Sequence, residues 1–210
     1  MNIDLTLYLV TDRSDMDESV FLSKIELACK GGITLLQLRE KDASSLDFLD
    51  MALKVKSIAD RYSVPLLIDD RIDIALACNA DGVHLGKNDL PVAVARKILG
   101  NNKIIGATAK TITQALAAAE AGADYLGVGA IFPTTTKVVT LITDVRTLND
   151  ICNSVAIPVV AIGGLNIDNC HVLSGTAVNG IAVVSAIMKA HDPQKASCAL
   201  KEKISSILEM

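Results

Sequence analysis

Gln37, Arg39 and Lys41 alternate at the end of the aliphatic run Leu35–Leu38. In extended backbone, alternate side chains share one face, so an amide and two cations would point the same way. A guanidinium grips phosphate oxygens through a planar fork and an ammonium acts as a point charge, so the trio could hold a polyanion. The competing reading is a solvated strand end in which Arg39 pairs with a neighbouring acid. Asp70 and Asp89 each follow an aliphatic run, Leu66–Ile68 and Val83–Leu85. Carboxylates at neighbouring strand ends could share a hard cation such as Mg²⁺ while leaving room for water and phosphate. Aspartate is also a favoured helix N-cap, and a helix is expected after each, so both readings stand. Thr134, Thr135, Thr136 and Lys137 offer hydroxyls and an ammonium in a segment too polar for a core, and Thr108 and Lys110 follow Ile104–Ile105. Gly163–Gly164 and Val184–Ser185 follow two further runs, and a tight turn is the plainer reading of the glycines.

What must position these clusters is a regular alternation. Between the aliphatic runs lie segments with helical periodicity, among them Ser44–Arg61, Leu90–Leu99, Thr111–Ala121 and Pro193–Leu208. Strand then helix, eight times, is the pattern of a (β/α)8 TIM barrel, an α/β fold. Strands are expected near 5–10, 34–38, 65–68, 81–85, 104–107, 124–128, 158–162 and 180–184. Pro65 and Pro158 each open one, where a missing N–H is tolerated. An open doubly wound sheet competes, but no G-x-G-x-x-G follows the first run. In a closed barrel every cluster meets at one mouth, and the segments after strands seven and eight fall where barrels commonly hold a phosphate monoester. Two anion sites result: one with Arg39, Lys41, Lys137 and a metal, the other neutral and lined by amides. A diphosphate plus a monophosphate fits that pair.

A chain of 210 residues suits one domain, residues 1–210, with a large buried core. Half the residues are hydrophobic but only 3% are aromatic and none is Trp, so the core must be Ile, Leu, Val and Ala, which suit strands covered on both faces. The mean hydropathy of +0.40 raises the question of a membrane. No run reaches about 18 apolar residues, and Met1–Val10 lacks a basic region, so a soluble, cytoplasmic protein without a signal peptide is expected. Cys29, Cys78, Cys152, Cys170 and Cys198 have no close pairs, which argues against disulfides and structural zinc; buried reduced thiols are expected. A net charge of -4 excludes a broad electropositive face for nucleic acid. His84 reads as structural, and His171 and His191 as surface residues. Nothing pairs a nucleophile with a base, so covalent catalysis is disfavoured.

The segments Gln37-Leu38-Arg39-Glu40-Lys41, Asp70-Arg71, Ala80 to Gly86 with Asp89, Gly127-Val128-Gly129 through Lys137, Ala161 to Gly164 and Val183 to Ile187 closely resemble the thiamine-phosphate synthase (thiamine-phosphate pyrophosphorylase) family. The likeness runs in order from the first strand to the eighth. It implies a transferase that joins 4-amino-2-methyl-5-(diphosphooxymethyl)pyrimidine to 4-methyl-5-(2-phosphoethyl)thiazole, giving thiamine phosphate and diphosphate. It implies that Gln37, Arg39, Lys41, Thr108 and Lys137 hold the pyrimidine diphosphate. Thr134, Thr136, Gly164, Val184 and Ser185 would hold the thiazole phosphate, with Asp69 and Thr135 also in the substrate-binding set. Asp70 and Asp89 would bind one Mg²⁺ per subunit. Arg39, Lys41 and Lys137 would be catalytic, stabilising charge on the departing diphosphate. The partners implied are these two small molecules, with neither nucleic acid nor membrane, and a homo-oligomer is left open.

Four positions depart from the family pattern: Asp69 replaces a usual Asn, Thr108 and Lys110 replace a Ser and a His, and Ala130 replaces a Pro. Asp69 matters most, because it adds negative charge near a diphosphate. Two other functions compete. A thiazole tautomerase of the related family would share the fold and the thiazole-phosphate site but is not expected to keep the Gln-Arg-Lys and paired-Asp set. A ligand sensor could keep the pocket without turnover.

Overall fold

Each aliphatic run forms a short parallel strand: β1 (Leu7–Val10), β2 (Leu35–Leu38), β3 (Leu66–Asp69), β4 (Gly82–Leu85), β5 (Ile104–Ala109), β6 (Tyr125–Gly129), β7 (Val159–Ile162) and β8 (Gly180–Val183). They pair in chain order, and β8 returns to β1 to close the barrel. The computed structural model describes residues 3–13, 16–134 and 142–209. All eight strands lie where the runs place them, shifted by no more than two residues at either end.

The runs are apolar throughout because a barrel strand is buried on both faces. Side chains alternate between two separate clusters. Tyr8, Val10, Leu35, Leu67, Ile104, Tyr125, Val160 and Ala182 fill the barrel interior. Their neighbours Leu7, Leu9, Leu36, Leu66, Ile105, Leu126 and Val159 face the surrounding helices, against Phe21, Ile25, Phe48 and Val55. Those helices are α1 (Glu18–Lys30), α2 (Ser45–Arg61), α3 (Ile72–Ala77), α4 (Val92–Leu99), α5 (Ile112–Glu120), α6 (Val145–Ser154), α7 (Ser185–Met188) and α8 (Pro193–Leu208). Several begin as their sequences dictate. Ser44, Thr111, Asp144 and Asp192 each accept a first-turn N–H through the side chain, and Pro193 opens α8.

Strand then helix does not hold eight times. Between β7 and β8 the chain forms only a 3-10 turn, Cys170–Leu173. Asn169 Oδ1 accepts the Asn166 N–H at 2.8 Å and Asn166 Oδ1 accepts the Asp168 N–H at 2.9 Å. Such local bonds satisfy the backbone without a helix. One cysteine also departs from expectation. All five thiols are free, but Cys198 is exposed while the other four are buried. On α8 the inward stripe is Ser197, Leu200, Ile204 and Ile207, which turns Cys198 outward. His171 and His191 are exposed, as expected. Among the described residues no helix is long and apolar enough to cross a membrane.

Candidate active site

The C-terminal ends of the strands surround a cavity of about 400 Å³. Gln37 from β2, Thr108 from β5 and Asp69 from β3 are on its walls, with Arg39, Lys41, Asp70 and Asp89 in the loops just beyond their strands. Thr134, Gly164, Val184 and Ser185 close the far side. The sequence residues thus converge on one mouth, apart from Thr135, Thr136 and Lys137, which lie outside the described residues. Lys87, Asn88 and Lys110 also line the cavity.

One side of the cavity is charged. Lys41 Nζ lies 2.9 Å from Asp69 Oδ2 and also contacts Asp70 Oδ2; Arg39 Nε is 3.7 Å from Asp69 Oδ2. Burial pulls the Lys41 pKa down, but hydrogen bonds to Asp70 and Asp69 prevail and raise it, so Lys41 remains a cation. Burial and then the Asp70 charge push the Asp69 carboxyl up, more than Lys41 and Arg39 pull it down. Arg39 therefore has a neighbouring acid, but at a distance too long for a directed hydrogen bond.

Asp70 and Asp89 are not helix caps. The N-cap of α3 is Arg71 and that of α4 is Pro91. Asp70 takes a left-handed conformation directly after β3, φ 61°, with its N–H donating to the His84 carbonyl at 2.9 Å. Asp89 Oδ2 accepts the Gly86 N–H at 2.6 Å, closing the turn after β4. The two carboxyls also hydrogen-bond each other. Burial acts to raise both, yet Asp70 is held low by the bond from Asp89 and by Lys41, whereas Asp89 is raised by burial and by that same bond. Two facing carboxyls coupled in this way suit a divalent cation between them. Among the described residues no three His, Cys, Asp or Glu side chains gather to hold a metal. A cation between Asp70 and Asp89 would complete its shell from water and ligand phosphate, the habit of Mg²⁺.

Among the described residues the far side carries no acid: Ala130, Thr134, Gly163, Gly164, Val184 and Ser185 line it. Gly163 and Gly164 have φ of 103° and 65°, so the tight-turn reading holds. A Cβ would meet Ala130 Cβ at 2.4 Å from Gly163 and Phe132 Cβ at 2.7 Å from Gly164. The fold alone therefore demands glycine there. The same close approach brings the backbone of Gly163 and Gly164 to the cavity wall, which Val184 and Ser185 at the start of α7 also line.

Sequence reasoning missed the floor. Gln37 Nε2 donates to Tyr8 Oη; Tyr8 Oη and Tyr125 Oη lie 2.9 Å apart; Tyr125 Oη is 2.9 Å from His84 Nδ1; and His84 Nε2 is 3.0 Å from Thr108 Oγ1. His84 is hydrogen-bonded as a structural histidine should be, yet it also lines the cavity. The signal in the sequence was compositional: with only three Tyr in the chain, two fall inside strands at inward positions.

A family model described as thiamine monophosphate synthase matches residues 7–187. Thiamine-phosphate synthase 2 of Streptococcus pneumoniae is 52% identical over 204 residues, covering 97% of each chain. Thiamine-phosphate synthase of Enterococcus faecalis is 48% identical over 210 residues, covering 100% of this chain and 96% of that one. Among solved structures, a thiamine phosphate pyrophosphorylase from Pyrococcus furiosus superposes with a TM-score of 0.89 at 40% identity, covering 98% of each chain.

Proposed function

The chain belongs to the thiamine monophosphate synthase family, transferases of thiamine biosynthesis, and on that premise we propose that it joins the aminopyrimidine diphosphate to the thiazole phosphate to give thiamine phosphate and diphosphate. The observation that carries this reading is the two-sided cavity. One side carries Arg39, Lys41, Asp70 and Asp89; the other is lined, among the described residues, by Thr134, Gly163, Gly164, Val184 and Ser185 with no acid, and both open on the same space. A diphosphate suits the first side and a monophosphate the second, as the resemblance implied.

Arg39 and Lys41, joined by Lys137, take the growing negative charge as the C–O bond to the diphosphate breaks and its electron pair leaves with oxygen. The electron-rich aminopyrimidine stabilises the methylene cation left behind. The thiazole nitrogen then donates its lone pair to form the new C–N bond, and no proton transfer or protein nucleophile is needed. Asp70 and Asp89 would hold Mg²⁺, whose chemistry when bound is to neutralise charge on the diphosphate. Gln37 and Thr108 orient the pyrimidine diphosphate. Thr134, Thr136, Gly164, Val184 and Ser185 fix the thiazole phosphate, and Thr135 and Asp69 complete the substrate-binding set. These small molecules are the partners proposed, in the cytoplasm.

The test mixes protein, Mg²⁺ and both phosphorylated substrates, then oxidises the mixture and reads thiochrome fluorescence. Product should form only with both substrates present. No product at any metal concentration would refute the proposal and favour a sensor.

A further inference from the structure

The chain of bonds under the cavity runs through Tyr8, Tyr125 and His84, three residues that belong to neither the charged side nor the amide side. Their sequence positions are far apart, yet the barrel register stacks them. His84 pairs across the sheet with Gly106, and Gly106 with Tyr125. Gly106 is therefore the gap between the two rings. A Cβ there would stand 2.1 Å from Tyr125 Cζ and 2.3 Å from its Oη. The Tyr125 ring occupies the room that a side chain at 106 would need, and its hydroxyl reaches His84 by lying across the glycine. Gly127 clears the next position, where a Cβ would meet His84 Cε1 at 3.1 Å. Glycine inside a strand weakens it, so two of them beside these rings mark a built arrangement.

The bonds have a direction. Gln37 Nε2 donates to Tyr8 Oη. The order that follows from this start sends the single Tyr8 proton to Tyr125 Oη, 2.9 Å away, and the Tyr125 proton to His84 Nδ1. Burial raises the pKa of both phenols, so each keeps the proton this order requires. His84 must then carry its own proton on Nε2 and donate it to Thr108 Oγ1, 3.0 Å away. That leaves the Thr108 hydroxyl proton available to an anion in the cavity. At the other end, with Nε2 committed to Tyr8, the Gln37 amide offers its carbonyl oxygen to the cavity. The reverse order would present the Gln37 amino group and spend the Thr108 proton on His84, leaving no donor there for a diphosphate.

We propose that Tyr8, Tyr125 and His84 are positioning residues whose ordered hydrogen bonds lock the Gln37 amide with its carbonyl facing the ligand, so that the pocket selects a heterocycle bearing an exocyclic amino group over one bearing an oxo group. This rests on the aminopyrimidine reading of the charged side. An amide free to turn could serve either group; one locked from behind cannot.

Two measurements test it. In the ¹⁵N-labelled wild-type protein, NMR should show His84 with its proton on Nε2 alone, and either the Nδ1–H tautomer or the imidazolium would overturn the order of the bonds. Affinities are then measured, with Mg²⁺, for the 4-amino pyrimidine diphosphate and its 4-oxo analogue. Tyr8→Phe, which frees the Gln37 amide, should reduce the wild-type preference for the amino compound by on the order of 10-fold, one hydrogen bond's worth. Tyr125→Phe, which keeps the ring but breaks the order, should also reduce it. An unchanged preference in folded variants would leave the network as mere satisfaction of buried hydroxyls and overturn the proposal. A wild type that binds neither compound refutes the proposed substrate instead, and the tautomer alone then decides whether the order is right.

Discussion

On the proposed function Asp89 has two separable duties, and Asp89→Asn distinguishes them. Its Oδ2 closes the turn by accepting the Gly86 N–H at 2.6 Å, and its charge faces Asp70. Asn keeps an acceptor for the turn but removes the charge. Two unit charges about 4 Å apart interact by about 1 kcal/mol even in bulk water, so a divalent ion loses about 2 kcal/mol, or roughly 30-fold in affinity. The half-buried site screens less than bulk water, which makes that a lower bound. Mg²⁺ titration of turnover should therefore show the half-saturating concentration raised about 30-fold or more, and Mn²⁺ binding followed by calorimetry should weaken in parallel. The melting temperature of the metal-free protein should not fall, because the turn survives. In Asp89→Ala the Gly86 N–H loses its acceptor as well, costing about 1 kcal/mol, or roughly 2–4 °C in Tm. An unchanged metal requirement in Asp89→Asn, with a lowered Tm only in Asp89→Ala, would refute the metal role and leave Asp89 as a turn residue.

Arg39→Ala should lower turnover by on the order of 10²–10³ while the protein stays folded, because it removes a donor to the developing negative charge; near-normal turnover would mark Arg39 as a solvated strand end. The Asp69 carboxyl is raised in the folded protein, so folding favours its protonated form and stability is lost as pH rises from the ordinary carboxylate range through the raised value. Asp69→Asn removes that loss, and in chelator-treated samples its Tm relative to wild type should be more positive at pH 7 than at pH 4; equal differences would mean that Lys41 and Arg39 fully offset the burial. Gly106→Ala places a Cβ 2.1 Å from the Tyr125 ring and should destabilise by about 1–3 kcal/mol, seen in denaturant titration, and a normal midpoint would contradict the packing described. A thiol reagent should label one cysteine, Cys198, in the native protein and all five after unfolding, and rapid labelling of a second would contradict the burial of the others.

The sequence determined the barrel because its signals are local. An aliphatic run followed by a helical stretch can be read within about 20 residues, and Pro65 and Pro158 mark strand starts by chemistry alone. The charged side of the site was legible for the same reason. Gln37, Arg39 and Lys41 alternate within one strand end, and Asp70 and Asp89 follow successive strands, so their convergence needs only the assumption of closure. The seventh connection was misread because asparagine side chains there compete with the backbone, a contest that apolar periodicity does not register. Only the tertiary structure decided the rest. Whether Asp70 and Asp89 capped helices or faced each other depended on one or two residues of loop geometry that no propensity specifies. The floor of the cavity was further beyond reach. Tyr8 and Tyr125 are 117 positions apart, and nothing local to either predicts that their hydroxyls meet. Register sets that meeting, by stacking Tyr125 beside Gly106 and His84 around the closed barrel, and register belongs to the assembled sheet.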